Sequence, residues 1–305
     1  MTAGTTGRAA AIDAGALPAG AALSARGRSL ARLWRLKWGL AATAVLLAIV
    51  AGTVVSPWIA PHDPLAVNIR HRLVPPAWMA GGVARHPLGT DQVGRDLLSR
   101  VIYGGRVSLA VGVGAVLISA TIGVLGGLAA GYAGERTDVV IMTLVNVILT
   151  FPFVLLALAV IAVLGPSLVN MILVLGVAGW PVYTRVVRAE TLAIREREFV
   201  LAGRALGMSH ARIVFRQILP NLVSAITVIA TLQVAQVIIA EAFLSFLGLG
   251  TQPPTPAWGN MLGEGRVYML NSWWIAAFPG LAIFVTTLAI NLMGNALRDW
   301  LDPAQ

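Results

Sequence analysis

Cysteine is absent from the 305 residues, lysine occurs once, at Lys37, and charged residues make up only 11% of the chain. Without cysteine there are no disulfides, zinc–thiolate sites, iron–sulfur ligands or thiol nucleophiles, and redox chemistry says nothing of compartment. The scarcity of charge excludes a water-facing globular enzyme. Soluble domains carry about 25% charged residues, whereas here 57% are hydrophobic, with 32 glycines besides. No glycine-rich loop ends in Lys followed by Ser or Thr, so the ammonium group that an ordinary P-loop NTPase places on the transferred phosphates is missing. Any ATP-driven work falls to another subunit. The four histidines, His62, His71, His86 and His210, lack the close spacing of a helical metal site. They read as loop histidines; neither a metal centre nor a catalytic residue is expected.

The formal charge is +9, from 22 basic and 13 acidic side chains. In a soluble chain that balance points to nucleic acid, but here the basic residues fall between long apolar runs and membrane topology explains them better. A crossing helix needs about 20 apolar residues, and such runs fall at 38–60, 108–131, 139–164, 167–187, 221–246 and 274–295. Six crossings place both termini on one side. Arg26, Arg28, Arg32, Arg35 and Lys37 precede the first run and assign that side to the cytoplasm, and 15 of the 22 basic residues then lie inside. Residues 1–30, rich in Ala, Gly, Thr and Ser, read as a mobile inner tail. The first run is long enough to cross, unlike the apolar region of a signal peptide.

Within the runs, Gly123, Gly127 and Gly131 recur every four residues and give one helix face a smooth groove for another backbone. Pro152 and Pro181 each remove a backbone donor and predict kinks in the third and fourth crossings. Trp258, Trp273, Trp274 and Trp300 bracket the last crossing, as headgroup-level aromatic anchors do. The two outer loops, 61–107 and 247–272, mix Pro and Gly with apolar residues and read as folded.

Residues 185–220 hold seven basic and three acidic residues between two apolar runs, too many residues for a simple turn. The pattern predicts two short helices. Helix formers fill 191–206, Gly207 suits the left-handed end of a helix, Ser209 suits the cap of the next, and Pro220 suits the first turn of the fifth crossing. Phe199, Ala202, Ala205 and Leu206 make an apolar stripe at spacings of three and four, suited to a groove on a partner.

Leu201, Ala202, Gly203, then Gly207, then Gln217, Ile218, Leu219 and Pro220 resemble the EAA loop of permease subunits in bacterial ATP-binding-cassette (ABC) importers. The family's glutamate falls on Leu201, its second alanine on Gly203 and its isoleucine on Gln217. Two further stretches narrow the likeness. His86-Pro-Leu-Gly-Thr90-Asp91, Gly94-Arg95-Asp96 and Ser99-Arg100 are similar to the outer segment of the dipeptide, oligopeptide and nickel importer group, and Glu241 to Gly250 to the same group's fifth-helix ending. The resemblance covers most of residues 31–303. It implies an ATPase-coupling role for Glu198, Leu201, Ala202, Gly203, Gly207, Met208, Ser209, Leu219 and Pro220.

Glu241 is the one ionisable residue placed within or at the edge of a crossing, where burial of its charge costs about 2–3 kcal/mol or more. Gating and structural roles both fit, with an arginine or amide of a partner permease as one candidate counterpart. Thr143, Asn146 and Thr150 share one helix face, and Ser224, Thr227 and Thr231 another; they suit either a passage lining or glue between helices. Asn146, Thr150, Thr227, Thr231 and Glu241 are the pathway candidates. In the outer segment, Thr90, Asp91, Gly94, Arg95 and Asp96 suit an ion pair and cap at the start of a membrane-surface helix, or a contact with cargo or a binding protein.

The expected fold is an all-α membrane protein of six transmembrane helices, in the manner of the type I (MetI-like) importer domain. Its parts are the tail 1–30, a first helix and outer loop over 31–107, and the transporter domain 108–300 with its coupling loop at 188–220. The resemblance implies half of an ATP-driven import pathway, for di- or oligopeptides or for nickel or another small cargo. An ion-gradient-driven transporter is the alternative from another class. The implied partners are a B-type permease, two ABC ATPases and a periplasmic or lipid-anchored binding protein in the bacterial inner membrane. No cofactor is expected in this chain, ATP and Mg being held by the ATPases.

Overall fold

The protein, a computed structural model, is described for residues 19–301, with side chains from Lys37 onward. Two compact units divide between Trp38 and Gly39. The notion of a tail over 1–30 falls outside the described residues as far as residue 18. From Ala19 the backbone is helical, because Ala, Leu and Arg dominate this stretch and all three favour helix.

The described residues form helices joined by loops. The chain runs α1 Ala19–Val54, α2 Ser56–Ile59, α3 Leu97–Ala133, α4 Glu135–Thr150, α5 Phe153–Leu164, α6 Leu168–Ile194, α7 Glu198–Ala205, α8 His210–Ile213, α9 Leu219–Phe246, α10 Trp258–Gly265 and α11 Trp274–Leu301. Among the described residues there is no strand beyond one isolated bridge, Thr90 to Asp96. Five helices are long and apolar enough to cross a membrane, and the bent pair α4–α5 makes a sixth crossing when counted as one.

That pair corrects the expected kink. At Pro152 the helix breaks outright and the two pieces meet at 85°. Proline disfavours helical backbone in the residue before it, and Phe151 is extended at φ −88°, ψ 133°. The second crossing also starts earlier than 108, at Leu97, because the carboxylate of Asp96 caps the helix by accepting from the Ser99 N–H at 2.9 Å.

α3 and α6 run parallel and touch along most of their length. An added Cβ at Gly123, Gly127 or Gly131 would lie 2.4, 2.6 and 2.7 Å from the Cβ of Tyr183, Val187 and Thr191, while one on Gly176 would meet Ile118. The expected groove is thus filled by a neighbouring backbone. Ser119 Oγ donates to the Gly176 carbonyl at 2.7 Å and Thr184 Oγ1 to that of Gly123 at 3.1 Å, bonds that only such close approach permits. At the same end as Gly131, an added Cβ on Gly39 of α1 would strike Ala296 of α11.

The outer loops are folded, and two of their tryptophans are not lipid anchors. Trp258 is buried over Gly104 and Gly105 and donates to the Val101 carbonyl at 2.8 Å; Trp274 is buried and donates to the Thr90 carbonyl at 3.2 Å. Each finds inside the protein the partner its N–H requires. Trp273 and Trp300 remain exposed.

Candidate functional site

The segment between α6 and α9 is the candidate docking element, built on the ends of two candidate crossings. α6 does not stop at 187, where the apolar run ends, but continues through Arg188 to Ile194, so the first expected helix of the loop divides: its beginning extends α6, and Glu198–Ala205 forms α7. Gly207 takes φ +72°, and the Met208 N–H reaches back to the Gly203 carbonyl at 3.0 Å, ending α7 in the manner of a glycine-terminated helix. Ser209 occupies the cap position of α8, but its side chain makes no capping bond. A π-helical turn over Val214–Ile218 then feeds α9, with Pro220 in its first turn.

One face of this element is fastened to the bundle. Val200, Ile213, Ile218 and Leu222 are buried with Leu128 of α3 and Val187 and Ile194 of α6. Gly203 is buried because a Cβ there would stand 2.8 Å from the Gln217 amide. Polar ties add to this. Arg195 donates to the Gly131 carbonyl at 2.9 Å, Tyr132 Oη pairs with His210 Nδ1 at 2.9 Å, and Arg204 lies over the Tyr132 ring at 5.2 Å. Arg188 and Asp138 form a two-pronged ion pair between α6 and α4, one prong at 2.6 Å.

The other face is open. Phe199, Leu201, Ala202, Ala205 and Leu206 are exposed, Leu206 at 84%. Leu201, at the glutamate position of the resembled loop, adds an apolar side chain to that surface. Glu198 is exposed in the first turn of α7, where the helix dipole favours an anion.

The pathway candidates do not converge. Thr150, Thr227 and Thr231 each donate to the carbonyl one turn back on their own helix, and Asn146 accepts from Arg185 at 2.9 Å. Instead, a recess of about 690 Å³ opens at the break between α4 and α5, lined by Phe151, Pro152, Gln233, Gln236 and Phe243 among others. Sequence reasoning missed the two glutamines, which lie on α9 among apolar residues at a spacing of three. Glu241 is fully buried within the chain, five residues before the end of α9. Ser108 donates to it at 2.9 Å and Ser245 at 2.6 Å, so its hydrogen-bond partners belong to this chain.

The outer segment packs at the opposite end from the docking element. Asp91 accepts from the Val93 and Arg95 backbone and from the Arg95 and Arg100 guanidinium groups. Glu264 of α10 closes the network, accepting from Gln92 at 3.0 Å, Arg95 at 3.0 Å and Arg100 at 3.2 Å. The expected ion pair and cap are present, but the helix they start is α3 itself rather than a surface helix. Glu264 lies more than 160 residues along the chain, and nothing local announces it. Gly94 has φ +81°, and a Cβ there would fall 1.8 Å from the Asn68 carbonyl. Thr90 binds the His71 carbonyl and the Val74 N–H through one hydroxyl. The reading of the histidines as separate needs correction: chain reversal brings His62 against His86, the rings tilted by 37° with centroids 4.8 Å apart, beside Asp96.

Known proteins are similar to this chain. The chain is 44% identical over 267 residues to the di/tripeptide transport system permease DppC of Pseudomonas aeruginosa, covering 88% of each chain. It is 38% identical to the probable D,D-dipeptide permease DdpC of Escherichia coli, over 89% of this chain and 90% of that one. It is 43% identical to the E. coli glutathione permease GsiD, over 85% and 83%. The solved MetNI methionine ABC transporter, inward facing, superposes with a TM-score of 0.54 at 19% identity, covering 67% of this chain and 96% of that chain, which places the fold. The profile for the N-terminal transmembrane domain of oligopeptide transport permease C matches residues 24–76, and that for binding-protein-dependent transport system inner membrane components matches residues 123–305. The chain belongs to this last family, as an ABC importer permease of the dipeptide and oligopeptide group.

Proposed function

We propose that the chain forms half of the translocation pathway of an ATP-driven importer of di- or oligopeptides, in the bacterial inner membrane with both termini cytoplasmic. The names of the relatives support a peptide cargo. The observation that carries the ATP-coupled part is the two-faced docking element, whose apolar outer face awaits a partner while its inner face is continuous with α6 and, through the π-helical turn, with α9.

In this reading two partner ATPases each bind and hydrolyse ATP with Mg, and one receives α7 in a cleft. A B-type permease supplies the other half of the pathway, and a periplasmic or lipid-anchored binding protein delivers cargo to the outer face. Closure of the ATPases displaces α7, and α6 and α9 move with it because the connecting turns are short and Val200, Ile213 and Ile218 are packed against α3 and α6. ATP must favour one state of the bundle over the other, since equal affinity for both would shift nothing. The chain breaks no bond in the cargo and needs no cofactor of its own. The recess at the α4–α5 break, with Gln233 and Gln236, offers adaptable hydrogen bonds to peptide amides.

The test is reconstitution of the four-component complex in vesicles with labelled dipeptide and tripeptide. Accumulation that requires ATP and the binding protein supports the reading. Accumulation by this permease pair on an ion gradient alone, without ATPases, overturns it.

A further inference from the structure

We propose that His62, His86 and Asp96 form a zinc-binding site at the end of the bundle opposite the docking element. Their three ligand atoms lie within 4.8 Å of one another. Asp96 Oδ1 stands 2.8 Å from His86 Nδ1 and 3.6 Å from His62 Nδ1. Ligand atoms around a tetrahedral zinc ion, each at about 2.0–2.2 Å from the metal, are about 3.4 Å apart. The two distances from Asp96 bracket that spacing, and binding would draw the trio together by side-chain rotation.

The surroundings aim the ligands. The second oxygen of Asp96 is occupied by the Ser99 N–H at 2.9 Å and the Ser99 hydroxyl at 2.7 Å, which leaves Oδ1 facing the two rings. The same Ser99 hydroxyl accepts from the His62 backbone N–H at 3.1 Å. A carboxylate oriented by a helix cap and a serine is the kind of outer-shell support that metal ligands commonly have. His62 Nδ1 is buried and has no hydrogen-bond partner, an unmet polar atom directed at a carboxylate. Its other nitrogen accepts from Arg85 at 3.3 Å, which places the ring proton on Nδ1. Zinc binding through Nδ1 moves that proton to Nε2 and releases Arg85, an exposed side chain.

Two imidazoles and one carboxylate suit zinc, with water in the fourth position. The ligands come from the turn after α2, the loop before α3 and the cap of α3, so the ion would clamp the exit of the first crossing to the entrance of the second. This inference does not depend on the cargo.

The test uses the full chain in its assembled complex, in lipid nanodiscs, with affinity tags removed and metal stripped by chelator. Zinc is titrated against a colorimetric competitor, and cobalt is substituted as a spectroscopic probe. The expected result is one zinc equivalent per copy and tetrahedral cobalt bands, with His62→Ala weakening zinc at least about a hundredfold and His210→Ala leaving it unchanged. His62→Ala keeps the backbone bond to Ser99, and its unfolding temperature without zinc reports whether it folds. Should it fail to fold, Asp96→Asn, which keeps an oxygen for the cap, serves instead and is expected to weaken zinc equally. Wild type that binds no zinc at about 100 μM, or equal binding by wild type and a folded variant, overturns the proposal and leaves an ordinary hydrogen-bonded His86–Asp96 pair.

Discussion

The hydroxyl of Ser108 on α3 and the carboxyl of Glu241 on α9 meet at 2.9 Å, and Ser245, one turn beyond Glu241, holds the other oxygen at 2.6 Å. A buried polar group joins two crossings that are otherwise packed by apolar side chains. Glu241→Leu leaves two buried hydroxyls unpaired, at about 1–3 kcal/mol. Glu241→Gln, which keeps an acceptor oxygen, is expected to lose less. Thermal unfolding of both variants in nanodiscs checks the order; a leucine variant as stable as wild type would show that the carboxyl holds nothing.

At the α3–α6 seam, Gly127→Val forces a side chain into a gap where even a Cβ lies 2.6 Å from that of Val187. Overpacking of this kind costs about 1–3 kcal/mol or more. The expected result is a lowered unfolding temperature and poor yield, whereas Gly134→Ala, beside open space, tests the backbone alone.

Gly207 faces no atom within 4 Å, yet has φ +72°. The cost of a side chain there is conformational, about 1–2 kcal/mol for a β-branched residue and less for asparagine. Gly207→Val is therefore expected to uncouple ATP hydrolysis from uptake or block assembly, and Gly207→Asn to retain both. Equal behaviour of the two variants counts against the left-handed turn as the cause.

Leu206 is 84% exposed on the open face of α7. Leu206→Asp is expected to leave the folding stability within about 0.5 kcal/mol of wild type while abolishing co-purification of the ATPases. Retention of the ATPases would remove α7 from the interface.

Asp91 receives two guanidinium groups in a buried setting. Asp91→Asn leaves Arg100, whose side chain is 2% exposed, short of an anion, and breaking buried pairs costs about 3–5 kcal/mol. The expected readout is proteolytic nicking of the outer segment in intact vesicles; an uncut variant would show that Glu264 suffices.

Much of this architecture was readable from the chain itself. Apolar runs locate the crossings because lipid demands them, and the glycines at 123, 127 and 131 announce a close neighbour because no other residue permits one. The helix end at Gly207 and the cap at Asp96 are local events, written in adjacent residues. What escaped depends on distance along the chain. Glu264 meets Arg100, and His62 meets His86, only after the outer loops fold back, and no periodicity encodes that return. The break at Pro152 exceeds the expected kink because proline drives Phe151 into extended backbone, and the angle that results is not written in the residue itself. Threonines at regular spacing mark a shared helix face, and each satisfies its hydroxyl on its own helix, so their spacing alone does not tell lining from packing.

The glycine seam carries one further consequence. Since α3 and α6 interlock backbone to backbone in fixed register from Ile118–Gly176 to Gly131–Thr191, neither can slide or twist without the other. Such interlocking favours motion of the two helices as one body, from the end that carries Ile194 to the end that carries Ile118.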